Sequence, residues 1–471
     1  MSDIDNTAET AALRRDNSYV DLNSVSKATS PSRRDQILIF CALAVCFLAT
    51  NFTNEAIIRA FPGPCYALFH SSRALLDPKS GMDARSYIRF FLGASRNSIF
   101  CISLLPLFFV LIKPLASLWP DLRNRRLWIS VSISFCIASV LIFSLTINGL
   151  GWTYAKLSID PFMQDSSFWY RRILMVALAN IFRLDGVSYI IFAWFIFFFS
   201  ISLTLIYLQR RGIRLSIIET SSLFTVGMFA SVLGLPGCPE ILVLSLTLLA
   251  VLEFERLGKW GMTQIVCFGL ALLTHESAAV LAFGALGLFM FGPRFMAAAA
   301  LVLALYIITW LLEFNFDISA AVQAQTVMNG RSATGIFRAH APLAVFSLFA
   351  VYKLTLLLAA ATAFKCVRSA DYRTAALIAS ALGGALALTY IGIDYSRVVS
   401  FATFAVVIAM AHVLPDLSTR QRNLFAAANL TIPSLYVGEG GGVWAFQGLY
   451  GRVVGHLFDF THKVHHLPHV G

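Results

Sequence analysis

Apolar runs of about 20 residues, cut by short charged connections, fill the chain from residue 36 to residue 437. Helices of that length match the hydrocarbon thickness of a bilayer. Thirteen apolar segments are distinguished: 36–52, 97–117, 128–149, 186–208, 215–235, 240–254, 261–274, 277–291, 295–313, 341–363, 374–392, 398–414 and 423–437. The pattern predicts an all-α fold, a polytopic helical membrane protein with about 13 transmembrane helices. The seventh and eighth segments form one run interrupted only by His275-Glu276, inside CFGLALLTHESAAVLAF. A carboxylate at the centre of a span costs about 2.5–3.5 kcal/mol on insertion scales. The pair is therefore expected at an interface, beside a wet cavity, or with a partner.

Charge bias decides among these. Arg14, Arg15, Lys27, Arg33 and Arg34 precede the first segment, which predicts a cytoplasmic N-terminus. The even-numbered connections are then cytoplasmic, and they are short and basic. They carry Arg123/Arg125/Arg126, Arg210/Arg211/Arg214, Arg256/Lys259, Arg294, Lys365/Arg368/Arg373 and Arg420/Arg422. Without a turn at His275 every later loop would invert, so the bias predicts that His275-Glu276 joins two spans on the outer side. The outer side takes the longer loops, 53–96, 151–185 and 314–340, and the acids Asp160, Asp165, Asp185, Glu240, Glu276, Asp317 and Asp394.

Composition agrees with the pattern. The 471 residues are 58% hydrophobic and 13% charged, with a mean hydropathy of +0.73, which excludes the soluble globular classes. The net charge of +11 lies mainly in short loops, where it sets orientation and meets lipid headgroups; it implies no nucleic acid. The eight cysteines show no C-x-x-C spacing and read as small core residues. Residues 1–35 lack an apolar core and read as a disordered cytoplasmic tail. Residues 36–127 hold two N-terminal spans with the outer loop 53–96, residues 128–437 the main transmembrane core, and residues 438–471 a His-rich tail. The HKVHHLPH cluster lacks structural spacing and is read as surface rather than as a metal site.

Several outer-side residues carry candidate chemistry. Asp160 precedes Pro161 and is expected on a loop, and Asp165 can cap the stretch that follows. Residues 167–182 show amphipathic helical spacing, with Arg171 and Arg172 beside Trp169 and Tyr170, and read as an interfacial helix. The two arginines suit a phosphate, and equally an interfacial anchor. Glu240 opens the sixth span, where the helix dipole favours an acid. His275 can shuttle a proton, Glu276 can bind a hydroxyl or a cation, and Thr274 can cap the following helix. Asp394 and Arg397 form either a local ion pair at a helix start or an anion contact. Arg331, Arg338 and His340 end the 314–340 loop and can serve the same anion. Lys353, inside the tenth span, is expected to snorkel toward the cytoplasm.

These stretches together resemble the GT-C glycosyltransferases, polytopic enzymes that use lipid-phosphate-linked sugars. The third span, the Asp160/Asp165 loop and FWYRRILMVALANIF are similar to the family's first span, acidic loop and juxtamembrane helix. GCPEILVLSLTLLAVLEFERLGKWGMTQIVCFGLALLTHESAAVLAF and IDYSRVVSFATFAVV resemble its outer-edge acid, basic turn, GLALLTKE-like turn and late D-x-x-R turn. The likeness spans roughly residues 128–415. There are departures: the acidic loop has no Asp-x-Asp or Glu-Glu pair, His275 stands where a Lys is usual, and the first two spans have no counterpart.

The resemblance implies a GT-C-like core with an outer-face interfacial helix in a bacterial inner membrane. It implies inverting transfer of a hexosyl or pentosyl group from a polyprenyl-phosphate-linked donor to a glycan or lipid acceptor. Asp160 or Asp165 would be the base. Glu240, His275 and Glu276 would shape the sugar or acceptor site, and Arg171, Arg172 and Arg397 would hold phosphate. No cofactor motif stands out, and assistance by a divalent cation, Mg2+ or Mn2+, is left open. Two other classes remain. One is a polysaccharide polymerase of the O-antigen type, whose R-x10-G loop pattern is absent at Arg331, Arg338 and Arg397. The other is a non-catalytic transporter or flippase subunit, which would show repeats and mid-span charges.

Overall fold

The computed structural model describes residues 125–142, 149–161, 172–313, 315–316, 333–390, 394–438 and 443–445. The expected spans 36–52 and 97–117, the loop 53–96 and both tails lie outside the described residues, as do Asp165, Arg171, Asp317 and Arg331.

The described chain is almost wholly helical. It runs through α1 (Arg125–Ile142), α2 (Gly149–Leu157), α3 (Ile173–Ile181), α4 (Tyr189–Arg210), α5 (Ile217–Phe224) and α6 (Gly227–Gly234). It continues through α7 (Glu240–Leu257), α8 (Met262–Leu272), α9 (Glu276–Leu286), α10 (Pro293–Glu313), α11 (Ala333–Tyr352) and α12 (Thr355–Arg368). The last elements are α13 (Tyr372–Leu388), α14 (Tyr395–Val399), α15 (Thr403–Val413), α16 (Thr419–Thr431) and the short antiparallel pair β1 (Leu435–Val437) and β2 (Val443–Ala445). Among the described residues, three helices are long and apolar enough to cross a bilayer: Tyr189–Arg210, Pro293–Leu312 and Tyr395–Asp416. The number is five if each of two bent pairs is one span.

Those bent pairs correct the sequence reading. The segment 215–235 is two helices inclined at 67°. Val226 is extended between them, and Gly227 has φ +59°. A Cβ on Gly227 would stand 2.5 Å from Thr403 Oγ1, so both the turn and the contact require glycine. The segment 341–363 is also two helices, inclined at 95° about Lys353 and Leu354. Lys353 is 2% exposed and does not snorkel. The segment 423–437 is a polar helix followed by a strand. Ser418 and Gln421 form a capping box that starts α16, and Ile432 ends it in extended conformation. Of the third segment, 128–149, residues up to Ile142 are described and helical.

The split at His275 is present as expected. α8 stops at Leu272, α9 starts at Glu276, and the two pack against each other. The basic connections consequently gather at one end of the bundle. Arg211 meets Glu255 at 2.5 Å, joining the C-termini of α4 and α7. Lys365 meets Asp416 at 2.5 Å, and Arg422 meets Glu219 at 3.2 Å. The opposite end holds the N-termini of α4, α7, α9 and α14.

In a bilayer, packing rather than water exclusion would join such helices. An aromatic cluster does this for α1, α4, α5 and α6. Phe135 meets Trp194 edge-on at 5.7 Å and Phe198 at 5.0 Å, and Phe197 meets Phe229 at 6.1 Å. Each such pair contributes about 0.5–1.5 kcal/mol beyond its area. Buried hydroxyls add cross-helix bonds: Ser200 Oγ donates to Ile241 O at 3.0 Å, and Thr362 Oγ1 to Ala409 O at 2.9 Å. α10 differs, because it is mostly exposed where α4 is mostly buried. Leu301, Leu305, Ile308 and Leu312 are exposed on it, a surface suited to lipid.

Candidate functional site: a buried charge cluster

The site is assembled from helix starts. Pro239 and Glu240 open α7 after a turn held by Gly237, whose φ is +96°. A Cβ there would stand 2.9 Å from Gly151 Cα, so glycine lets this turn touch α2. Tyr189 at the start of α4 donates its hydroxyl to Gly237 O at 3.0 Å. Together these place Glu240 inside the bundle, 2% exposed, at the end away from the basic loops.

α9 supplies the next two groups. His275 is its N-cap: Nδ1 accepts the Ala278 N–H at 3.5 Å. The expected cap, Thr274, instead donates back to Leu270 O at 2.9 Å and closes α8. With Nδ1 an acceptor, the neutral imidazole carries its proton on Nε2. That nitrogen lies 3.5 Å from Glu240 Oε1, and the ring packs 4.8 Å from Phe401. Glu276 follows at the first position of α9, where the helix dipole favours its charge.

Two arginines close the cluster from distant parts of the chain. Arg172 stands at the residue before α3 and grips Glu276 with Nε at 3.3 Å and Nη2 at 3.2 Å. The Leu174 N–H donates to Leu273 O at 3.0 Å, which fixes α3 against the His275 turn. Arg397, on α14, donates from Nε to Glu240 Oε1 at 2.8 Å and from Nη2 to the same oxygen. Asp394 does not pair with the Arg397 guanidinium. Its Oδ1 accepts the Arg397 backbone N–H at 3.3 Å as N-cap, and its Oδ2 accepts the Tyr436 hydroxyl. Val437 N–H donates to Ser396 Oγ at 2.7 Å, so β1 is tied to the same corner.

Two guanidiniums thus meet two carboxylates, with Asp394 bonded alongside, and Glu240 Oε2 is buried without a hydrogen-bond partner among the described residues. A charge held in a desolvated site is costly unless paired. Oε2 is therefore the atom from which a donor hydroxyl would gain most.

Glu240, His275, Glu276, Asp394, Arg397 and Arg172, picked out separately in the sequence, converge at this one end. Asp160 is exposed on the turn after α2 and is not bonded into the cluster. That turn is fixed by Asn180 Nδ2, which donates to Ser158 O at 3.0 Å and to Ile159 O at 3.2 Å, and by the Gly186 N–H, which donates to Ser158 Oγ at 2.8 Å. Arg338 lies in the first half of α11. The sequence reading missed Tyr154 and Tyr436. Tyr154 is fully buried on α2 within electrostatic reach of Arg172, Glu240 and Arg397. Its signal was a lone phenol in GWTYAKL, six residues ahead of Asp160. Among the described residues no group of three His, Cys, Asp or Glu gathers as metal ligands. Compared with known family models, curated proteins and solved structures, the chain matches none.

Proposed function

We propose that the protein is a multi-pass membrane glycosyltransferase that moves a sugar from a polyprenyl-phosphate-type donor to an envelope glycan or lipid acceptor. The observation that carries this reading is the ion-paired cluster of Arg172, Glu276, Glu240, His275 and Arg397 at the end of the bundle opposite the basic loops. In this reading the membrane is a bacterial inner membrane, the basic end is cytoplasmic, the cluster faces outward, and about thirteen helices span the bilayer.

The chemistry divides between an exposed acid and the buried cluster. Asp160, exposed beside the cluster's end of the bundle, or Asp165 accepts the proton of the acceptor hydroxyl. The hydroxyl oxygen bonds to the anomeric carbon as its bond to the lipid phosphate breaks, and the phosphate leaves with the electron pair. Glu240 holds the Nε–Nη2 edge of Arg397, which leaves Nη1 as a donor for a phosphate oxygen. Arg172, Arg171 and Arg338 would add positive charge, and Glu240 Oε2 accepts a substrate hydroxyl. Preorganised donors of this kind cost no reorganisation when charge develops. A divalent cation, Mg2+ or Mn2+, stays an open addition.

A second reading, transport, is favoured by the two bent helix pairs, since broken helices line binding sites in transporters. Cells lacking the protein separate the two. Sugar transfer predicts an envelope glycan missing one sugar and an accumulated polyprenyl-phosphate sugar. An unchanged glycan, with loss of substrate movement into proteoliposomes lacking any acceptor, would replace transfer by transport.

A further inference from the structure

The bend between α11 and α12 buries a cation that the charge cluster does not use. Lys353 is 2% exposed, and among the described residues its ammonium has no carboxylate or hydrogen-bond partner. Its backbone is left-handed, with φ +49°. That conformation is unfavourable for a residue with a Cβ, and an unpaired ammonium held away from water is costlier still. A leucine would avoid the second penalty and a glycine the first, so this position bears two costs that packing alone would remove.

The surroundings are polar at the same level of the bundle. The Tyr352 hydroxyl donates to Val399 O at 2.8 Å and lies 3.4 Å from Thr403 Oγ1. The Leu354 N–H donates to Asn429 Oδ1 at 3.0 Å, and Asn429 Nδ2 donates to Ser222 Oγ at 2.8 Å. Ser434 Oγ donates to Thr225 O at 3.1 Å. Three interruptions therefore meet here: Thr225–Val226, Lys353–Leu354 and the end of α16. Irregular backbone inside a membrane is tolerated where it is buried in protein or lines a polar cavity. α12, whose positive dipole end starts at Leu354, adds charge of the same sign as the ammonium.

Exposed apolar side chains flank the bend on both helices. Val345 and Phe349, four residues apart on α11, are exposed, and Leu357 is exposed on the first turn of α12. We propose that the α11–α12 bend is an anion site that takes the phosphate-type headgroup of a membrane amphiphile, with Lys353 as its counter-ion and the tail along the Val345–Phe349 face. The site rests on membrane insertion and not on sugar transfer, so it stands or falls separately from the transferase reading.

Thermal unfolding of the purified full chain in detergent tests it, with farnesyl phosphate, farnesol and inorganic phosphate as probes. Farnesyl phosphate should raise the midpoint by several degrees, and farnesol should not. Lys353→Arg should keep the shift. Lys353→Met and Lys353→Asn should weaken apparent affinity at least about tenfold, the loss expected for one charge-assisted bond. Asn accepts a positive φ and guards against a folding failure in the Met variant. An equal shift with inorganic phosphate would keep the anion site but make its ligand a free phosphate. Equal shifts with farnesol, no shift with either phosphate, or an undiminished farnesyl phosphate shift in both neutral variants would overturn the proposal.

Discussion

Arg397 reaches 157 positions back along the chain to hold Glu240, and the bond joins the start of α14 to the start of α7. Both partners are nine-tenths buried or more. Removing one member leaves the other charged and unpaired, which typically costs about 3–5 kcal/mol. Arg397→Met and Glu240→Gln should each lower stability on that scale. The double variant should lose clearly less than the sum. Chemical or thermal unfolding of the four proteins in detergent reads the coupling directly, and additive losses would show that the pair does not act as one unit.

The Arg172–Glu276 pair tests geometry rather than charge. The guanidinium contacts both carboxylate oxygens through Nε and Nη2. A lysine keeps the charge but loses the fork. Arg172→Lys should fold, because the positive charge remains beside Glu276, yet reduce activity by about tenfold or more, the worth of one charge-assisted bond. Wild-type activity in a well-expressed Arg172→Lys protein would show that the fork is not used.

His275 combines a cap with a place beside Glu240. Asparagine caps a helix as well as any residue, whereas alanine costs about 1 kcal/mol. His275→Asn should therefore keep the unfolding midpoint and His275→Ala should lower it. A proton-carrying role predicts that both lose activity. If His275→Asn retains full activity, the histidine is a cap and nothing more.

At the basic end, Asp371 caps α13 by accepting the Thr374 N–H at 3.2 Å. The Thr374 hydrogen bonds hold its carboxyl below the ordinary carboxylate range. A lowered folded pKa contributes stability above the unfolded value of about 3.9 that is lost as pH falls through the folded one. Asp371 should then leave stability flat between pH 5 and 8 and weaken it only in acid, about pH 4 and below. Asp371→Asn should abolish that acid-range dependence while keeping the cap. A midpoint that still shifts in acid by the wild-type amount would assign the dependence to other groups.

Sequence carried the ends of this molecule better than its middle. The turn at His275 was legible because alternating loop charge demands it, and the acids Glu240 and Glu276 shared a face for the same reason. The partners of those acids were not legible. Arg172 is 104 positions from Glu276, and no local spacing encodes such a contact. Both bent pairs were hidden inside continuous apolar runs. The first turns on Gly227, needed for its positive φ and the nearby Thr403. The second turns on Lys353, whose burial ran against the usual snorkelling of a lysine. α16 was misread because LFAAANLTI is apolar enough to resemble a span, while Arg420, Gln421, Arg422 and Asn423 make its start polar.

In the proposed reaction the buried cluster and the loop carrying Asp160 and Asp165 serve sugar transfer. Envelope glycan composition in cells lacking the protein, complemented with Asp160→Asn, Asp165→Asn, Glu240→Gln and Glu276→Gln at wild-type expression, tests it most directly. The wild-type gene should restore the missing sugar. At least one of the two loop-acid variants should fail outright, and both cluster variants should restore it poorly. Full restoration by all four variants would contradict it.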